Sequence, residues 1–250
     1  MAQRRILITG ASSGIGAATA RRLAAPGVSL ALQGRNNRAG LEAVAEEARA
    51  LGAEAVTLLA DFAEAAAPAR LVAEAAKALG GLDVLIANAG FADKTPLMQL
   101  AEPDYEASMA TIATSFLRLA QAAGPVLADG QAPRLVAVSS FVAHAYRPGF
   151  QLFPATAAAK GALEAMVKAL AIEWAPKVAV NAVAPGHIRK DAGAHAAMSG
   201  ADREAKVAPF IPFARLGEPA EVAEAIAFFA GPAASYVTGQ VLHVDGGMVI

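Results

Sequence analysis

The sequence predicts an α/β fold: a doubly wound, seven-stranded parallel sheet in a single domain spanning 1–250. Three observations carry that expectation. Seven short, nearly continuous apolar runs recur along the chain, Ala-, Glu- and Leu-rich segments of helical period separate them, and a glycine-rich turn joins the first run to the first helix. Parallel strands covered on both faces require such unbroken apolar runs. Their alternation with helices implies right-handed crossovers.

The strands are expected at 6–8, 28–32, 55–59, 84–87, 135–138, 178–180 and 241–244. Segments 41–51 and 70–79 place apolar residues at i, i+3 and i+4 with polar ones opposite, as surface-covering helices do. Hydrophobic residues make up 56% of the 250 and charged ones 17%, enough for one large core. A net charge of -1 offers no electrostatic case for nucleic acid or an anionic membrane. Four scattered histidines and no cysteine leave no metal-ligand spacing and no disulfide framework. The first apolar run is too short for a signal peptide or a membrane span, and the expected location is cytoplasmic.

Chemistry is concentrated where strands end. Thr9-Gly10-Ala11-Ser12-Ser13-Gly14-Ile15-Gly16 follows the first strand and opens the first helix. There glycines let the backbone approach a pyrophosphate, and the helix N-terminus offers N–H groups and a positive dipole. The second strand runs out through Gln33-Gly34-Arg35-Asn36, with no acidic residue to hold a ribose 2′-hydroxyl. Arg35 can instead clamp a 2′-phosphate, so NADP is favoured over NAD. Asp61, followed by Phe62 just past the third strand, is placed to reach the adenine edge, with a helix cap as its plainer role. Asn88-Ala89-Gly90 ends the fourth strand with small residues that can line the cofactor crevice.

Together with Val138-Ser139-Ser140, Lys160-Gly161-Ala162-Leu163, Asn181, Pro185-Gly186 and Asp245-Gly246-Gly247, these motifs resemble the short-chain dehydrogenase/reductase family over essentially the whole chain. In length and layout the chain is similar to the 3-oxoacyl-carrier-protein reductase type. The resemblance implies a Rossmann fold and a nicotinamide cofactor. It also implies a small-molecule carbonyl or alcohol substrate and assembly as a homotetramer or homodimer through the helices at 102–127 and 156–174. Ser140 matches the family's serine that bonds the substrate oxygen. Lys160 matches the lysine that holds the nicotinamide ribose and lowers the pKa of a tyrosine. Pro185, Gly186 and Ile188 match the segment that holds the carboxamide.

Two positions depart from that pattern. Thr156 stands four residues before Lys160, where the family has its tyrosine, and Ile112 falls where it has an asparagine. A phenol of pKa about 10 can be drawn toward neutrality by a nearby cation, whereas a threonine hydroxyl is a far weaker acid. The stretch from Ser140 to Thr156 is longer than in the family and offers Tyr146 and His144 as substitute proton donors. Arg147 is a candidate for an anionic group, and 189–213 is the expected substrate-selecting lid. Three functions remain open on the sequence alone: an NADP-dependent oxidoreductase with an atypical proton donor, a cofactor-binding sensor or partner subunit without turnover, or a non-redox lyase or isomerase on the same scaffold.

Overall fold

A computed structural model describes residues 4–148, 150–190 and 200–250. Seven strands, β1 (Arg4–Ile8), β2 (Val28–Gly34), β3 (Glu54–Leu59), β4 (Val84–Ala87), β5 (Arg134–Val138), β6 (Ala179–Pro185) and β7 (Val241–Val244), form one sheet in the order β3-β2-β1-β4-β5-β6-β7. Every pairing is parallel.

The apolar runs explain the layering, because successive strand side chains point to opposite faces. Ile6, Ile8, Leu30, Leu32, Val84, Ile86 and Val136 face one layer, with helices α1 (Gly14–Leu23), α2 (Arg38–Ala50) and, later in the chain, α8 (Pro219–Ala230). Leu7, Ala31, Leu85, Leu135 and Ala137 face the other. There they meet α3 (Ala67–Leu79), α5 (Ser115–Ala128) and α6 (Pro154–Glu173). Between α3 and α5 lies the short α4 (Glu102–Ser108), and before α8 lies α7 (Gly200–Val207). Strand order reverses between β1 and β4, which opens a crevice at the carboxyl ends of the strands. The opposite end of the sheet is pinned by the buried Asp83. Its carboxylate accepts from the Arg5 guanidinium at 2.7 and 3.0 Å and from the amides of Arg5 (2.8 Å) and Gln131 (2.7 Å).

Two elements differ from the expected ones. The helix expected at 102–127 is interrupted: residues Met109–Thr114 form a π-helical turn between α4 and α5. Such a turn inserts a residue into the ladder without altering its helical composition, so periodicity does not reveal it. β6 runs on to Pro185, past the short run expected at 178–180. Asn181 hides the continuation in the sequence, yet its amide is satisfied inside the fold, donating to Val237 O (2.9 Å) and accepting from Gln240 N (3.0 Å). Of the expected lid, 191–199 lies outside the described residues; the rest contains α7 and a 3-10 turn, Ala208–Phe210. Among the described residues no helix is long and apolar enough to cross a membrane, and no group of three or more His, Cys, Asp or Glu is placed to hold a metal ion.

Candidate active site

The glycine-rich turn sits at the carboxyl end of β1 and is held from both sides. Asn88 Nδ2 donates to Thr9 O (2.9 Å) and Gly10 O (3.2 Å), while the amides of Asn88 and Ala89 donate to Thr9 Oγ1 at 2.9 and 3.0 Å. Gly10 N donates to Gln33 Oε1 (2.9 Å), whose amide in turn donates to Ala60 O (2.8 Å). The close approach explains the residue types: a Cβ on Gly16 would stand 2.2 Å from Gly10 O, and Gly10 itself has φ +65°. Ser13 precedes α1 without capping it through its side chain, so Ser12, Ser13, Gly14 and Ile15 present a helix N-terminus at the crevice. This cradle fits a pyrophosphate.

Arg35 is exposed just beyond β2, next to Asn36 and to Asn37, which caps α2 by accepting from Gly40 N at 3.0 Å. Asp61 accepts from Ala63 N (3.0 Å), so one carboxylate oxygen shapes its own turn; Phe62 is buried beneath it. Gly186 follows β6 against Asp245, whose Cα would lie 2.7 Å from a Cβ there. Asp245 closes the turn after β7 by accepting from Gly247 N and Val249 N, both at 2.9 Å.

Lys160 on α6 brings an ammonium to this edge. It is only 6% exposed, and Nζ donates to Val138 O at 2.5 Å, at the end of β5. A Cβ built on Gly90 would lie 3.5 Å from Nζ and 3.7 Å from Ile112 Cγ1, so the ammonium and the π-turn isoleucine share one wall of the crevice. Burial pushes the Lys160 ammonium down from 10.5 to about 8, and the field of Glu164 acts in the opposite sense. Ser140 follows β5, its backbone anchored through Ser139 N, which donates to Val183 O at 2.7 Å. The Ser140 hydroxyl accepts one long contact from Val142 N (3.4 Å), which leaves its proton available to an incoming oxygen.

Thr156, 3% exposed, opens the first turn of α6 and uses its hydroxyl structurally: Oγ1 accepts from Asp93 N at 2.8 Å. It thereby ties the segment after β4 to α6. His144 Nε2 lies 2.9 Å from Glu164 Oε1, and its ring meets His243 edge-on with centroids 4.6 Å apart. Tyr146 is 64% exposed. Arg147 turns to the C-terminal segment, donating to Met248 O at 2.7 Å. Sequence reading missed Glu164, Gln33 and Asp93. Gln33 carried a signal, being a polar residue at the end of an otherwise apolar strand, whereas Glu164 read as an ordinary helix carboxylate. Asp93 acts through its backbone and carried none.

Next to Ser140 the wall is aromatic. Phe141 packs on Phe150 (6.0 Å), Phe153 (6.5 Å) and the buried His187 (4.6 Å), and Phe150 meets Phe210 at 5.5 Å. A cavity of about 350 Å³ adjoins it, bordered by His187, Ile188, Phe213, His243 and Asp245. A larger one, about 430 Å³, lies at the far end of the sheet around Arg5 and Asp129, away from the strand termini that carry the chemistry. Volume alone therefore does not locate this site.

A dinucleotide cradle, a serine at the end of the fifth strand and a buried lysine on the following helix, set on a doubly wound parallel sheet, define a nicotinamide-type oxidoreductase architecture. A family model described as enoyl-(acyl carrier protein) reductase matches residues 10–249. A 3-oxoacyl-[acyl-carrier-protein] reductase of Synechocystis is 35% identical over 98% of this chain and 96% of that protein. Among solved structures, a dehydrogenase/reductase from Sinorhizobium meliloti superposes with a TM-score of 0.90 at 32% identity, covering 99% of this chain and 96% of that one. A short-chain dehydrogenase from Burkholderia cenocepacia in complex with NADP gives 0.88 at 33% identity, covering 98% and 97%. The chain belongs to the short-chain dehydrogenase/reductase family of oxidoreductases.

Proposed function

We propose that this protein is an NADP-dependent oxidoreductase that interconverts a carbonyl and an alcohol, using a proton donor other than the residue at 156. The observation that carries the reading is the convergence of the glycine-rich turn, Asn88–Gly90, Ser140, Lys160 and Pro185–Gly186 on one edge of the sheet, with the Lys160 ammonium against Gly90. NADPH, when bound, supplies the hydride. Gly10 to Gly16 hold its pyrophosphate, Arg35 its 2′-phosphate, and Asp61 its adenine edge. Gly186 and Ile188 hold the carboxamide. Ser140 donates its hydroxyl proton in a hydrogen bond to the carbonyl oxygen. Lys160 holds the nicotinamide ribose and, as an ammonium, favours the developing negative charge.

Thr156 does not serve as the acid, because its hydroxyl is weakly acidic and engaged with Asp93 N. The proton comes from water, from Tyr146 on the exposed loop, or from His144. The exposed faces of α5 and α6, with Ala158, Gly161, Ala165 and Ile172, form the proposed seam between copies in a dimer or tetramer.

The Thr156–Asp93 bond also favours a second reading, a cofactor-binding subunit without turnover. Loss of a positioned proton donor costs about 10²- to 10⁴-fold. The test follows NADPH absorbance against ketones, 3-oxoacyl thioesters and enoyl thioesters, since the matched names differ in the bond reduced. Parent turnover that falls about 100-fold or more in Ser140→Ala supports the oxidoreductase. A silent parent beside an active Thr156→Tyr supports the binder. Arg35→Ala weakens NADPH and spares NADH if Arg35 reads the 2′-phosphate.

A further inference from the structure

We propose that Glu164 is a positioning residue: it clamps both ends of the turn that carries Ser140. The inference rests on the oxidoreductase reading above and adds a residue to it. Glu164 lies one turn beyond Lys160 on the same face of α6, and its side chain is 8% exposed. Its carboxylate accepts from Ser139 Oγ, the residue immediately before Ser140, and pairs with His144 Nε2 at 2.9 Å, four residues after it.

Between those two anchors the chain makes a single 3-10 turn, Phe141–Ala143. Ala143 N donates to Ser140 O (3.2 Å), and His144 N and Ala145 N both donate to Phe141 O (2.9 Å). Ser140 has little to orient it by itself: among the described residues its hydroxyl holds the long 3.4 Å contact from Val142 N. Its direction is therefore set by the backbone turn; apolar packing of Phe141 and Val142 with Ala157 seats that turn on α6, and the Glu164 carboxylate adds a polar fastening at each of its ends. β7 closes the arrangement from the other side. His243 packs edge-on against His144, and its Nδ1 lies 3.6 Å from Asp245 Oδ2. The charged and titratable groups around Glu164 are thus Lys160 on its own helix, His144 on the turn, and His243 and Asp245 on β7 and its exit.

A buried carboxylate is expensive unless hydrogen-bonded, and an apolar side chain of that size would pack there at lower cost. Holding the turn is what the carboxylate does in exchange.

The test compares the parent with Glu164→Leu, Glu164→Gln and His144→Leu, the last cutting one arm at a half-exposed site. Amide hydrogen exchange across 139–145 is measured with no cofactor or substrate present, alongside kcat, KM and NADPH binding stoichiometry. The clamp predicts exchange in 139–145 at least about 10-fold faster in Glu164→Leu, with β1, β4 and the rest of α6 unchanged. It predicts kcat per NADPH-binding site down roughly 10- to 100-fold, with KM for NADPH within about 2-fold. Glu164→Gln recovers most of both losses, and in exchange, the readout that proton donation by His144 does not move, His144→Leu falls between. Unchanged exchange in 139–145 overturns the proposal. So does faster exchange with unchanged kcat, or a uniform loosening of the domain with kcat per folded site retained. A parent that turns over no carbonyl removes the oxidoreductase reading instead, and the exchange arm then decides the clamp alone.

Discussion

Replacing Lys160 by methionine should make the protein more stable at neutral pH and less stable in alkali. Methionine keeps an unbranched chain of similar length and removes the charge. In the folded state burial lowers the ammonium to about 8, against 10.5 in the ordinary state. At pH 7 both folded and unfolded chains carry the proton, so the folded protein bears the full cost of enclosing a cation. Between about 8 and 10.5 the folded chain has released the proton and the unfolded chain keeps it. Unfolding then takes up a proton, and parent stability rises with pH across that window. The gap of about 2.5 pH units at 1.36 kcal/mol each is roughly 3 kcal/mol. Methionine also strands the Val138 carbonyl, which loses its 2.5 Å donor, at a cost of about 1 kcal/mol. The variant should therefore be about 2 kcal/mol more stable than the parent at pH 7 and about 1 kcal/mol less stable at pH 10.5 and above. Urea unfolding of both proteins at pH 7, 8.5, 9.5 and 10.5, without cofactor, measures the difference directly, because all other titrations are common to the pair. A difference that stays constant from pH 7 to 10.5 refutes the argument.

Gly16→Ala places a Cβ 2.2 Å from Gly10 O, so the turn must open; NADPH affinity by fluorescence titration should fall roughly 10- to 100-fold, the equivalent of about 1.4 to 2.8 kcal/mol. Thr156→Val keeps the shape and removes the acceptor for Asp93 N; chemical denaturation should show a loss of about 1 kcal/mol, with local exchange rising at 91–95. Asp83→Ala strands the Arg5 guanidinium and two amides, and should cost about 3 kcal/mol at pH 7, since Arg5 retains some access to water. Burial opposes ionisation of Asp83, but the Arg5 guanidinium and the Gln131 and Arg5 amides hold its carboxyl below the usual carboxylate range. Its contribution is therefore complete above the unfolded value near 4 and disappears as pH falls through the lower folded one. The gap between parent and Asp83→Ala in acid unfolding should narrow over that window.

The sheet was legible because its strands are apolar on both faces, and seven such runs in order leave few other topologies. Gly10, Gly14 and Gly16 were legible for a related reason, since only glycine tolerates the approach of Asn88 and Gly10 O or the positive φ found there. Chemistry that depends on hydrogen bonds distant in sequence was hidden. Nothing near Thr156 announces that Asp93 N, 63 residues earlier, engages its hydroxyl. Glu164 reads as one more surface carboxylate of an Ala-rich helix until β5 and the turn after it are folded against α6. The π-turn at Met109–Thr114 conserves helical composition while shifting register, which is why the single helix expected there is divided. His144 and Tyr146 were both legible as titratable groups in the lengthened segment. The fold separates them, engaging the first with Glu164 and leaving the second on the surface.

Hydride transfer at the edge where Ser140 and Lys160 converge is open to a labelling experiment. NADPH carrying deuterium in place of both hydrogens on the reactive carbon of its nicotinamide is incubated with the protein and the best carbonyl acceptor, and the alcohol is read by mass spectrometry. One deuterium on the carbinol carbon is expected for each NADPH consumed, with transfer lost in Ser140→Ala. Product formed without deuterium, or NADPH bound and left unconsumed across the whole panel, contradicts hydride transfer there.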